Sequence, residues 1–376
     1  MKKQTLLSGS IVRLRHLLHR SAELSGREKE TSRIITDYLK TAAPDRIITG
    51  LGGFGVAAVY NGKAKGRTVL LRADMDALAI ADDIRKPYKS RTGAAHKCGH
   101  DGHCAALCAV ADALYRTPLE RGRAVLLFQP AEETLAGAKA VFADPKFAAL
   151  KPDMVFGLHN FPGFKTGAIL LKSGVFCRAT AGLTLELKGR TSHASEPEKG
   201  INPAFAAAEI LLSVENLSVT IPGAKLTPVG INSGGPFFGT APGYGTLMLT
   251  ARAETQAGLD RLVSKCLAAA KKICARHGVK LKITVTDDCP ETKNSPAVVA
   301  KAIRAALNLG LGTVLLPHSF ATAEDFGVFT AQVPGALIGI GCGVKHPPLH
   351  SPQYDYPDQI LAPSARLLET ILRACV

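Results

Sequence analysis

Tryptophan is absent from this 376-residue chain, and aromatic residues make up only 6% of it. An RNA-binding sheet needs exposed aromatics on its central strands, and Leu183, Leu185 and Leu187 supply none, so nucleic acid is not expected as a partner. No stretch approaches the ~18 consecutive apolar residues of a membrane span. Met1 to Arg20 has short apolar runs broken by Arg13, Arg15 and His16, so the reading expects no signal peptide and no membrane association. Cys-x-x-Cys pairs are missing, which argues against a zinc knuckle or a thioredoxin-like role. No Gly-x-Ser-x-Gly elbow is present to support nucleophilic serine chemistry. Nor is there an internal repeat or a low-complexity tract.

What is present describes a folded, water-facing protein. Hydrophobic residues make up 46% and charged residues 20% of a chain long enough for two domains. The formal charge is +15, yet Lys and Arg are scattered without a dense run, which reads as a solvated basic surface. The nine cysteines are an odd number, several of them inside apolar helical stretches (Cys104, Cys108, Cys266, Cys274). Reduced thiols and a cytoplasmic location are therefore expected.

One stretch stands out: His96-Lys97-Cys98-Gly99-His100-Asp101-Gly102-His103. Imidazole and thiolate hold borderline-soft divalent metals, and Cys98 and His100 flank a flexible glycine, so the stretch reads as a metal-binding loop. Leu107, Val110, Ala111 and Leu114 follow at helical spacing, so the loop opens a helix. Upstream, residues 11 to 40 fit two amphipathic helices separated near Ser25-Gly26. The Gly50 to Gly55 run matches a dinucleotide fingerprint, but Val56 to Tyr60 after it reads as strand where that fingerprint needs a helix.

Four apolar strands run into metal-ligand residue types. Thr68 to Ala73 ends at Asp74-Met75-Asp76, Ala124 to Phe128 at Gln129-Pro-Ala-Glu132-Glu133, and Met154 to Leu158 at His159-Asn160; Ala336 to Ile340 leads through a glycine-rich loop to His350. Strands alternating with helices predict an α/β domain with an open, mostly parallel sheet, whose ligands bind beyond the strands' carboxyl ends. From 178 to 289 the pattern changes to βαββαβ, the order of a ferredoxin-like α+β sandwich. Residues 1–177 and 290–376 are thus expected to form one discontinuous domain, with 178–289 inserted as a second.

Together these motifs resemble one family, the two-metal aminoacylases and carboxypeptidases, in the branch of hippurate hydrolases and auxin-conjugate amidohydrolases. The pieces are Arg72-Ala-Asp-Met-Asp-Ala-Leu78, His96 to His103, Gln129 to Glu133, Gly157-Leu-His-Asn160, Gly189-Arg-Thr-Ser-His193, Ala323-Glu-Asp-Phe326 and Leu349-His-Ser-Pro352. The resemblance implies that Cys98, His100, Glu133, His159 and His350 hold two divalent ions (zinc, manganese, nickel or cobalt) and that Glu132 is the general base. It implies hydrolysis of N-acyl amino acids, with a metallo-exopeptidase acting on short peptides as the rival reading. That 1–177 with 290–376 is the catalytic domain, that 178–289 is a lid through which a homodimer forms, and that His193 stabilises the oxyanion are implied in the same way. Asp76 and Asp101 are expected to orient the ligating imidazoles, with a plain loop or capping role as the alternative. In one departure from the family, Phe237-Phe-Gly-Thr240-Ala-Pro242 stands where an Asn-Val-Ile-Pro-like run is usual, and Thr240 is read as replacing its Asn.

Overall fold

The computed structural model describes residues 9–217, 220–221 and 223–376. Residues 1–8, where the segment read for a signal peptide begins, lie outside the described residues. The chain divides into two compact units. One comprises Met1–Phe176, Thr292–His318 and Glu324–Val376, and the other Cys177–Glu291 with Ser319–Ala323.

In the first unit, apolar runs such as Val69 to Leu71 and Val125 to Phe128 are fully buried. Such runs suit strands covered on both faces. Four of them, Arg121–Gln129, Ala64–Asp74, Met154–Pro162 and Gly335–Gly343, lie side by side and parallel at the centre of an eight-stranded sheet. Flanking strands run antiparallel to this centre on both sides: Gly55–Asn61 pairs with Arg121–Gln129, and Ile169–Leu171 with Gly335–Gly343. The sheet is therefore mixed α/β and mostly parallel. Helices Gly9–Arg20, His100–Arg116 and Leu361–Cys375 contribute Leu14, Leu107 and Leu368 to its core.

The second unit has four antiparallel strands in the order Lys225–Ser233, Tyr244–Ala253, Ala179–Lys188, Lys280–Cys289. Helices Pro203–Leu217 and Gln256–Arg276 pack on its apolar face, completing a ferredoxin-like sandwich. Alternation sets which face is buried: Leu183, Leu185 and Leu187 are buried while Thr184 and Glu186 between them are half-exposed. Thr255 caps the second helix by accepting from Gly258 N at 3.2 Å.

Candidate metal centre

The carboxyl ends of the parallel strands carry the polar groups. Asp74 ends one strand and Gln129 the next, while His159 sits within its strand, opposite Gly339. The apolar run predicts a strand end at Leu158, but the strand continues to Pro162 because Asn160 and Phe161 keep pairing with Ile340 and Gly341. The metal loop enters its helix at His100 through Gly99, whose φ of +94° is left-handed. A Cβ on Gly99 would lie 2.2 Å from Asn160 Oδ1, so glycine is required for space as well as for backbone conformation.

This turn brings the five expected ligands together. Cys98 Sγ lies 3.4 Å from His159 Nε2, whose other nitrogen donates to the Asn160 carbonyl at 2.9 Å. Nδ1 of His100 donates to the Asp76 carbonyl at 3.0 Å, leaving Nε2 free to ligate. That Nε2 is 3.8 Å from Glu133 Oε1 and 3.9 Å from Glu132 Oε2, and Glu133 Oε2 is 3.5 Å from His350 Nε2. Glu133 belongs both to a group with Cys98 and His350 and to one with His100 and Glu132. A divalent cation passes a direct test of fit. His100 Nε2 and Glu133 Oε1 are buried without a hydrogen-bond partner, which buried polar atoms rarely are. Their 3.8 Å separation suits two donors sharing one ion at bond lengths of about 2.1 Å.

The electrostatics point the same way. Burial, reinforced by the charges of Glu324, Glu133 and Asp325, holds the Glu132 carboxyl well above the usual range despite Arg72. Burial also pushes Glu133 up to about 7, against the pull of His100. The Cys98 thiol is raised by burial and by the same two glutamates. His159 is lowered by burial and by His103, which keeps its ring neutral and able to donate a lone pair to metal. Buried carboxylates crowded this closely create a field that favours positive charge.

A ring of hydrogen-bonded groups lies behind these five residues. Asp76 Oδ2 accepts from Glu133 N at 3.0 Å and Ser25 Oγ at 2.7 Å, and its Oδ1 lies 3.3 Å from His100 Nδ1. Asp76 thus faces the His100 imidazole. Asp101 does not: its carboxylate bonds His19 Nδ1 at 2.9 Å and Arg15 Nη1 at 3.3 Å. One residue further along a helix points about 100° away, so Asp101 faces the N-terminal helix while His100 faces the metal loop. The expectation that Asp101 orients a ligating ring is corrected accordingly.

His103, which the sequence gives no separate role, is buried between Asp74 Oδ1 at 2.5 Å and Asn160 Oδ1 at 2.7 Å. Asn160 Nδ2 in turn holds the Cys98 carbonyl at 3.1 Å, and Arg72 bonds Asp74, Gln129 and Asp325. Both His103 nitrogens face acceptors, so His103 bridges Asp74 and Asn160. The sequence signal for His103 is helical spacing, since it is three residues after His100 and shares its face.

In the second unit, exposed His193 lies on a two-residue strand with Thr240 opposite it, and its Nδ1 meets Ser195 Oγ at 2.6 Å. Counted back from Pro242, the family's Asn falls on Gly239 and not on Thr240. Gly239 has no side chain at all, and its carbonyl accepts from Ala194 N at 3.0 Å.

Comparison with known proteins was decisive. Residues 70–374 match the model of peptidase family M20/M25/M40. The chain belongs to this family. Among relatives of this M20-family chain, hippurate hydrolase of Campylobacter jejuni is 30% identical over 365 residues, covering 96% of this chain and 94% of the relative. N-acetyl-L-cysteine deacetylase of Bacillus subtilis is 30% identical over 345 residues, covering 90% and 82%. A dinuclear metal-binding M20 peptidase from Bacillus subtilis superposes with a TM-score of 0.82 at 25% identity, covering 97% of each chain. This M20-family chain is thus a metal-dependent amide hydrolase whose substrate is a small-molecule amide. Among its described residues, no helix is long and apolar enough to cross a membrane.

Proposed function

We propose that this enzyme cleaves the amide bond of N-acyl amino acids, with Cys98, His100, Glu133, His159 and His350 holding two divalent cations and Glu132 acting as general base. The observation that carries the reading is the Glu132–Glu133 pair. Both carboxylates lie within 4 Å of His100 Nε2, and Glu132 is buried with its proton affinity raised. When bound, the cations supply Lewis acidity that acidifies water and polarises an amide carbonyl. Glu132 takes a proton from the attacking water and delivers it to the departing amine nitrogen, while Glu133 stays committed to the cations. Asp76 orients His100, and Asn160 fixes the Cys98 backbone. His193, on its short strand, is assigned to the oxyanion. Zinc is the cation favoured by the Cys98 thiolate, with manganese, nickel and cobalt compatible with the remaining donors.

Support for N-acyl amino acids over peptides comes from the hippurate- and N-acetylcysteine-cleaving relatives. A homodimer through the second unit is supported by its edge strand Lys225–Ser233, where Val229 and Ile231 are exposed. Nine free, buried cysteines fit a cytoplasmic setting. The test is a release assay on the zinc-loaded protein across N-benzoylglycine, N-acetyl amino acids and dipeptides. Turnover of the N-acyl amino acids above the dipeptides is expected, and the reverse order would overturn the assignment.

A further inference from the structure

The segment between the first two helices reaches Asp76 through Ser25 and the turn before Glu132 through Glu28, and Glu28 has no part in the chemistry proposed above. Glu28 is fully buried although it sits at the N-cap of helix Lys29–Thr41, where short side chains such as Ser, Asp or Asn ordinarily cap the helix. Its side chain makes no cap bond, and Glu23 bonds Thr31 N at 2.8 Å instead. Glu28 Oε1 accepts from Gly26 N at 2.9 Å and, across 103 residues of sequence, from Ala131 N at 2.8 Å. Ala131 immediately precedes Glu132 and has a φ of +53°, a left-handed conformation that alanine rarely adopts unaided. Gly137 N closes the same turn on the Ala131 carbonyl at 3.0 Å, which makes the loop tight at both ends. Three residues before Glu28, Ser25 Oγ donates to Asp76 Oδ2, the same oxygen that accepts from Glu133 N.

We propose that Glu28 is a positioning residue of the metal centre: it holds Ala131 in its left-handed turn and so aims Glu132 and Glu133 at His100. The proposal rests on the metal-centre reading above. Removing the Glu28 carboxylate leaves the part-buried Ala131 N–H without its acceptor and releases the turn toward an ordinary backbone conformation. That release swings Glu133 away from His100 and His350. Glycine at 131 adopts positive φ without steric cost, so it lessens the need for the carboxylate.

The experiment is a Zn²⁺ titration of the metal-free full-length protein against a chromophoric chelator, with hydrolysis measured in parallel. Glu28→Ala is expected to weaken zinc binding about tenfold or more and to lower turnover similarly. Glu28→Gln, which keeps an acceptor oxygen, should stay within about threefold of the wild type. The double variant Glu28→Ala/Ala131→Gly should recover most of the lost zinc affinity, a rescue that general loss of folding would not give. Should Glu28→Ala fail to fold, Glu28→Asp replaces it, because the shorter carboxylate keeps the charge but falls short of Ala131, and the same rescue is expected. Unchanged zinc affinity in the single variant, or a loss that Ala131→Gly leaves unrepaired, would overturn the proposal. Absence of zinc binding by the wild type would instead sink the metal-centre reading on which it stands.

Discussion

Replacing Gly99 with alanine strikes the metal loop at its tightest point. The added Cβ would lie 2.2 Å from Asn160 Oδ1 and 2.9 Å from the Tyr354 hydroxyl, at a backbone φ of +94°. A side chain at such a φ costs about 1–2 kcal/mol, and overpacking a close-packed interior adds about 1–3 kcal/mol. The strain is relieved by displacing Asn160, which breaks its bonds to His103 at 2.7 Å and to the Cys98 carbonyl at 3.1 Å. Losing support of this kind weakens metal binding by about 10–100-fold, and that is the expected change in Zn²⁺ affinity of the metal-free protein. Gly93→Ala is the control, because Gly93 has a φ of +86° with nothing within 4 Å of an added Cβ. It carries the backbone penalty without the clash. Equal zinc affinity in the two variants would refute the claim that contact with Asn160 fixes the Cys98 loop.

Three other outcomes follow from the same geometry. Glu132→Gln should keep its metal and lose about 100-fold or more in turnover, whereas Glu133→Ala should lose metal as well; equal metal loss in both would erase the distinction between base and ligand. His193→Ala should lower kcat at least about tenfold, and a smaller loss would argue against a direct role for that ring. Burial disfavours a charged His19, but its bonds to Asp101 and Asp82 and the Asp101 charge outweigh this and push it up to about 9. A folded pKa raised above its unfolded value stabilises fully below about 6.5, and the contribution is lost as pH rises through about 9. The loss is on the order of 3 kcal/mol. Urea unfolding below and above this window should show it, and His19→Gln should flatten the dependence; an unaltered slope in that variant would assign the effect elsewhere.

Much of this architecture was legible in the sequence because its signals are local. Apolar runs such as Val69 to Leu71 end in polar groups, and strict alternation along Leu183, Leu185 and Leu187 marks a half-buried strand. What escaped depends on direction and distance. Asp101 and His103 both flank His100, and only helix geometry turns the first toward Arg15 and the second toward Asp74. Asp74 ends its strand just as Asp76 follows it, yet the Asp74 carboxylate is taken by Arg72 and His103 while that of Asp76 meets His100, Glu133 and Ser25. Glu28 meets Ala131 through a side chain reaching across 103 residues, and nothing in the Gln129 to Glu133 motif points back to Glu28. Ser319–Ala323 joins the second unit as a five-residue stretch, too short to show any periodicity.

The most direct test counts metal. Elemental analysis of zinc-loaded, dialysed protein should find about two ions per chain, and fewer in each single alanine variant of Cys98, His100, Glu133, His159 and His350. A wild type that holds no zinc, or any one of these variants retaining the full complement, would contradict the assignment.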